Sequence, residues 1–324
     1  MKGKNILITG GLGFIGSNLA IKLAKEGSNV TIIDSLIPEY GGNPHNLHDF
    51  KDKIKVNLSD VRDPFSMNQL VQGQDFLFNL AGQTSHLDSM ENPFDDLDIN
   101  AKAQLSILEA CRLHNPNLRI VFASTRQIYG KPKYLPVNEK HPSHPVDVNG
   151  VNKMAGEFYH MIYNKVYGIS SCVLRLTNTY GPHMRVKDAR QTFLGIWIRN
   201  LIEGKPIQIF GDGQQRRDYN YVDDVIEALL LAANIPEGDG QVFNLGAPEP
   251  LSLENTANLM CKQLEGASFQ KVPFPEARKA IDVGDFICDY AAFKNRFGWK
   301  PKISFKEGIQ KTIKYYKKHL SHYL

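Results

Sequence analysis

Short β-branched runs alternate with longer amphipathic stretches through the first half of the chain, which is the pattern of strand-helix units in a parallel sheet. NILIT, NVTIID, KVNLSD, DFLFNLAG, RIVFAST and SSCVLRLTN read as strands. Between them lie helical stretches such as SNLAIKLAKEG and NAKAQLSILEACRLH, the second with its apolar residues spaced for one buried face. Beyond about residue 180 the alternation weakens. There QTFLGIWIRNLIEGK and YVDDVIEALLLAAN read as helices, KPIQIFGDG and QVFNLG as strands, and GIQKTIKYYKKHL as a closing amphipathic helix. No internal repeat or low-complexity linker interrupts the chain, so two lobes, residues 1–178 and 179–324 with some interleaving, are expected to pack directly on each other.

Composition narrows the class. The 324 residues suggest two domains at about 150 residues each. Apolar residues at 42% and charged residues at 22% match ordinary globular proteins, which excludes disordered and fibrous chains. The net charge is +4 and, apart from KYYKK near the end, the basic residues are scattered, so no nucleic-acid partner is expected. Cys111, Cys172, Cys261 and Cys288 are far apart and form no C-x-x-C pair, which fits buried thiols in a reducing compartment better than disulfides or zinc. The apolar NILI runs straight into glycines without a secretory h-region, and no segment reaches the length of a membrane span. The expected location is the cytoplasm, with no membrane partner.

Candidate chemistry begins where NILIT meets GGLGFIG, ahead of a helix. Gly10, Gly13 and Gly16 recur at every third residue, while Gly11, Gly13 and Gly16 fit G-x-G-x-x-G. Glycine permits the tight turn and lets phosphates reach backbone amides at a positive helix end. The next strand ends in Asp34, where a carboxylate can accept from adenosine ribose hydroxyls and repel a 2′-phosphate. NAD is therefore expected over NADP.

With these motifs, and with SDVRD, NLAGQTSH, VFASTRQIYG, NGVNKMAGE, LRLTNTYGP, IFGDGQQRRDYNYVDDV, VFNLGAPEP and FGWKP, the chain resembles the extended short-chain dehydrogenase/reductase family over nearly its whole length. The resemblance is to its nucleotide-sugar epimerases and dehydratases, of the UDP-glucose 4-epimerase kind. It implies an α/β fold: a Rossmann-type doubly wound parallel sheet with a smaller C-terminal α/β substrate lobe. It also implies a homodimer built from helices around 100 to 114 and 150 to 167. By resemblance the cofactor would lie along Gly10, Gly13, Phe14, Ile15, Gly16, Asp34, Asp60, Val61, Leu80, Ala81 and Gly82, with Lys153 on the nicotinamide ribose. Ser85, His86, Asn178, Arg217 and Arg278 would meet the sugar nucleotide, Arg217 facing its diphosphate. Thr125 would touch the reacting sugar oxygen.

One position departs. The family's usual base is a tyrosine four residues before the lysine, and here that place holds Asn149, an amide that takes no proton at neutral pH. Tyr129 with Lys133 and Tyr290 with Lys294 share the spacing by coincidence. Three routes are open: Lys153 as base, Asn149 positioning a water or the sugar hydroxyl, or recruitment of His86. Arg126 and Gln127 stand where the family's dehydratases and decarboxylases carry acids, so epimerisation or reversible oxidation fits better than elimination. Asp282, in IDVGD, replaces a phosphate-binding arginine, whose contact would move to Arg278 or be compensated by Arg216. His141 and His144 have no metal-ligand partners at suitable spacing, so no metal is expected. The reading is an NAD-dependent nucleotide-sugar epimerase, with a dehydrogenase, reductase or dehydratase of the same family as one alternative. A non-catalytic sensor of NAD or a nucleotide sugar is the other.

Overall fold

In the computed structural model, which describes all 324 residues, the apolar runs form β1 (Asn5–Thr9), β2 (Asn29–Ile33), β3 (Ile54–Asn57), β4 (Phe76–Asn79), β5 (Arg119–Thr125) and β6 (Ser171–Leu176). Across the sheet the order is strand Gln241–Leu245, β6, β5, β4, β1, β2, β3, with every pairing parallel. Both faces are covered, which is why β1 is apolar at successive positions. Ile6 and Ile8 join the larger core on one face, and Leu7 joins the smaller core on the other.

The helices follow in order: α1 (Phe14–Lys25), α2 (Pro64–Leu70), α3 (His86–Glu91), α4 (Pro93–Leu97), α5 (Ala103–His114), α6 (Val148–Tyr167), α7 (Phe193–Ile202) and α8 (Val222–Asn234). A π-helical turn, Asp98–Lys102, leads into α5, so the regular helix starts three residues later than the pattern NAKAQL suggests. Helix α6 starts at the Asp147 cap, whose Oδ1 accepts the Gly150 amide at 2.7 Å, and stops at Gly168, which takes the left-handed conformation at φ 71°. Its buried face is unusually polar, carrying Asn149, Asn152, Lys153, Glu157 and His160. Part of that polarity is structural: Glu157 accepts two bonds from Arg175 at 2.6 and 2.9 Å, and Arg175 donates to Tyr129. Tyr129 is thereby tied into the core, which removes it as a candidate proton carrier.

The sheet crosses the expected lobe division at 178. Strand Gln241–Leu245 returns from the second half to cover the edge of β6, which would otherwise expose unpaired backbone groups. The remaining C-terminal lobe comprises α7, a parallel pair of strands at Ile207–Phe210 and Phe269–Val272, and the closing helix Phe305–His319. That helix buries Phe305, Ile309, Ile313 and Tyr316 on one face, as its amphipathic pattern requires. No helix is long and apolar enough to cross a membrane.

Candidate active site

The glycine turn joins β1 to α1 with almost no side chain in the way. Gly10 sits at φ 67°, a conformation that favours glycine, and a Cβ on Gly16 would lie 2.3 Å from the Gly10 carbonyl. Gly11 serves packing instead, because a Cβ there would strike Ile32 at 2.3 Å. Helix α1 is capped by Gly13 without a side-chain bond and has no acidic residue in its first turn, so its amide end remains available to an anion. Along the same cleft lie Gly10, Gly13, Phe14, Ile15, Gly16, Asp34, Asp60, Val61, Leu80, Ala81 and Gly82, which the structure brings together as expected by position. Asp34 accepts the amides of Leu12 at 3.0 Å and Leu36 at 2.9 Å. Burial pushes its carboxyl up while those two bonds oppose the shift, and nearby Asp60 adds repulsion.

The cleft opens into a cavity of about 790 Å³, and the two share walls at Phe14, Ile15, Leu80, Gly82 and Ala123. Thr125, Asn149, Lys153, Ser85, His86, Asn178, Arg217 and Arg278 all line the larger space. Lys153 stands at the junction. Its Nζ donates to the Ala123 carbonyl at 3.3 Å and lies 5.1 Å over the Phe122 ring. An ammonium has three donors, so two remain for a ligand. A Cβ on Gly82 would sit 2.8 Å from that Nζ and 2.9 Å from Asn100 Oδ1, a buried acceptor with no partner. The junction is thus a polar cradle that only glycine leaves open. Burial pushes Lys153 down to about 8, with Asp96 and Glu157 opposing the fall.

Asn149 faces inward. Its Nδ2 donates to the Gln83 carbonyl at 2.9 Å and to Asp96 Oδ2 at 3.0 Å. A carboxylate only accepts, so the NH2 group must be the one facing Asp96, and Oδ1 is the polar atom left over. The nitrogen already satisfies a buried carboxylate, so a water or sugar hydroxyl positioned by Asn149 would have to meet Oδ1. Asp96 is fully buried and also accepts from Asn100 at 3.0 Å and Asn152 at 2.8 Å. The sequence reading missed Asp96 altogether; its only signal was an acidic pair in PFDDL, the segment that forms α4.

Thr125 ends β5, and its Oγ1 accepts the Gln127 amide at 3.2 Å, leaving the hydroxyl proton free to donate. Gln127 in turn donates to Asp147 Oδ2 at 2.7 Å, and the same oxygen lies 3.0 Å from Nδ1 of His86. His86 opens α3 beneath the Ser85 cap, whose Oγ accepts the Asp88 amide at 3.1 Å and keeps its hydroxyl proton free to donate. Although burial pushes Asp147 up, His86, the Gly150 amide and Gln127 together hold it below the usual carboxylate range.

Arg217 is held at the far wall by the carbonyls of Arg216 (2.9 Å) and Gly284, and Asp282 Oδ1 lies 3.7 Å from it. Asp282 also accepts from Gln215 at 2.8 Å, so it orients Arg217 and its neighbours. Arg216 does not compensate: it points out of the cavity and pairs with Asp285 at 2.8 Å. Arg278 does reach the cavity, 5.8 Å over the Phe210 ring. Arg126, lying 4.9 Å over Phe286, adds positive charge to this wall and is pushed down to about 10 chiefly by burial. Asn178 donates to the Asp218 carbonyl at 3.0 Å, which leaves its own carbonyl for a ligand. Both His141 nitrogens have local partners, Lys133 and Pro142, so that histidine is structural.

The chain is similar in sequence and fold to known proteins. The chain is 33% identical over 315 residues to a putative UDP-glucose 4-epimerase of Methanocaldococcus jannaschii, covering 96% of this chain and 98% of that one. The crystal structure of UDP-glucose 4-epimerase with UDP-glucose from Thermotoga maritima matches with a TM-score of 0.88 at 31% identity, over 98% of this chain and 99% of that one. UDP-glucuronic acid 4-epimerase from Bacillus cereus, in complex with UDP-glucuronic acid and NAD, matches with a TM-score of 0.85 at 28% identity, over 97% and 99%. The sequence profile of the NAD dependent epimerase/dehydratase family covers residues 6–246, and the chain belongs to that family of enzymes.

Proposed function

We propose that the protein is an NAD-dependent nucleotide-sugar epimerase. The observation that carries this reading is the junction itself: a glycine-lined dinucleotide cleft opens, at Lys153 and Gly82, into a cavity large enough for a nucleotide sugar. NAD, held by the glycine turn, Asp34 and Lys153, would supply the acceptor and donor of hydride for a sugar carbon. The chain's own groups do the rest. Lys153 donates to the nicotinamide ribose, and Asp34 accepts from the adenosine ribose. The Thr125 hydroxyl donates to the reacting sugar oxygen. Arg217 and Arg278 meet the diphosphate, while Asn178 adds a neutral contact. No acid follows Thr125, since Arg126 faces a hydrophobic ring and Gln127 is bound to Asp147, so elimination of water lacks its proton donors. A second reading, a nucleotide-sugar sensor, is favoured by one observation only, the inward commitment of Asn149.

The test is turnover. UDP-sugars head the panel because the three similar proteins named above carry the name of a UDP-sugar 4-epimerase; CDP-, GDP- and dTDP-sugars complete it. Isomer formation with NAD, and weaker stimulation by NADP, is the expected outcome. Binding without turnover across the panel would leave the sensor in its place.

We infer a homodimer as the working form. Val151, Phe158, Ile162 and Val166 make an exposed apolar stripe on α6, next to exposed Leu105 on α5, and a stripe of this kind normally has a partner. Phe158→Asp is expected to halve the mass measured by light scattering. An unchanged mass would place the interface elsewhere.

A further inference from the structure

We propose that His86, held by Asp147, carries the sugar hydroxyl proton that a phenol carries in the family's usual scheme. The proposal rests on the epimerase reading above. The His86 side chain is 37% exposed and lines the cavity, while the Asp147 side chain beside it is fully buried. Asp147 cannot turn away. Its Oδ1 is fixed by the Gly150 amide at 2.7 Å, where it caps α6, and its Oδ2 by the Gln127 amide at 2.7 Å. His86 Nδ1 lies 3.0 Å from Oδ2, a charge-pair distance with the N–H direction off the hydrogen-bond line. Because the carboxylate only accepts, Nδ1 keeps its proton and Nε2 presents the lone pair.

The framework that holds this pair also holds the sugar's hydrogen-bond donor. Thr125 accepts the Gln127 amide, and Gln127 grips Asp147, so the Thr125 hydroxyl and the carboxylate beside His86 are linked through one residue. A glutamate at 127 would set two carboxylates against each other; glutamine turns the contact into a bond. The carboxylates and basic groups on the elements packed around His86 are Asp88 and Glu91 on α3, Asp95 and Asp96 on α4, Asp147 capping α6, and Lys153, Glu157, His160 and Lys165 along α6, with Arg190 pairing Asp88 at 2.7 Å. Of these, Lys153 stands at the cofactor junction and Asp96 is sealed beneath three amides, which leaves His86, lining the cavity beside Asp147, as the open carrier.

The step balances. The sugar O–H bond breaks with its proton passing to Nε2, the oxygen electron pair closes the C=O bond, and the hydride leaves that carbon for the nicotinamide ring of NAD. In the return half the proton and the hydride go back, so nothing is gained or lost. Asp147 is a positioning residue, favouring the imidazolium formed midway.

Two measurements test this. In the cofactor-free protein, the ring nitrogen shifts of the neutral His86 imidazole are read by NMR. The wild type is expected to show Nδ1 protonated and Nε2 bare, and Asp147→Asn, which preserves a helix-capping side chain, is expected to lose that preference. A tautomer ratio unmoved by the substitution overturns the pairing. His86→Asn is then assayed with whichever panel sugar nucleotide the wild type turns over. The expected result is a fall in kcat of about a hundred- to ten-thousand-fold, an unchanged Kd for the sugar nucleotide, and loss of the acid limb of the pH profile. A kcat within threefold of wild type, or a retained acid limb, overturns the assignment while the epimerase reading stands. If the wild type turns over no panel member, the epimerase reading falls and takes this proposal with it.

Discussion

Replacing Lys153 with methionine is expected to lower kcat/KM by about a hundred- to ten-thousand-fold while leaving the folded protein at least as heat-stable as the wild type. The activity loss follows from donor counting. Lys153 has one protein acceptor, the Ala123 carbonyl, so two ammonium donors point to the cofactor junction. Charge-assisted bonds contribute about 1.5–3 kcal/mol each, and every 1.4 kcal/mol is roughly tenfold. The stability half depends on sign. Burial pushes the lysine from 10.5 down to about 8, so the folded chain holds this proton less tightly than the unfolded chain. At pH 7 both states are charged and burial of the ammonium disfavours folding, a handicap that fades as pH climbs from 8 to 10.5. Methionine removes the charge and keeps an unbranched apolar stem of similar length. Steady-state kinetics and a melting curve at pH 7 check both halves. Intact turnover would disprove the role at the junction, and a lower melting temperature would mean that the ammonium contributes net stability.

The sequence exposed the scaffold more fully than the proton chemistry, for a physical reason. Strands and helices announce themselves by local periodicity, so RIVFAST maps onto β5 residue for residue, and the glycine turn declares itself by spacing. The lobe division was less visible because strand Gln241–Leu245 joins the main sheet through a pairing with β6 about seventy residues earlier in the chain. The groups around Asn149 were hidden for the same reason. Asp96 acquires its meaning only when α4 packs on α6, and Asp147 reads locally as a helix cap whose second oxygen happens to meet His86 and Gln127. Asp282 misled in the other direction. Seen as a lost arginine it implied a missing phosphate contact, whereas in space it steadies Gln215 and lies beside Arg217. Asn149 itself is explained by its partner. A buried carboxylate needs donors, a phenol offers one hydrogen, and an amide offers two, which here reach both Asp96 and the Gln83 carbonyl.

Asp96→Asn should reveal whether this hidden carboxylate governs Lys153. Asp96 accepts from Asn100, Asn149 and Asn152, and an amide in its place would turn its own NH2 group toward at least one of those donors. Leaving a buried donor unpaired costs about 1–3 kcal/mol, so the melting temperature should fall by roughly 2–5 °C. The electrostatic consequence is the sharper test. Asp96 opposes the burial that depresses Lys153, so neutralising it lowers the lysine below its value of about 8. Wild-type protein freed of cofactor should therefore hold NAD by a charged lysine below pH 8 and lose affinity as pH rises through that value. In the Asp96→Asn protein the same loss should already be under way at neutral pH. Calorimetric Kd values for NAD between pH 6 and 9 measure the midpoint in each protein, and they do so without any assumption about the sugar. Coincident midpoints would sever Asp96 from Lys153. An affinity that climbs with pH would make neutral Lys153 the form that binds, returning it to contention as the base.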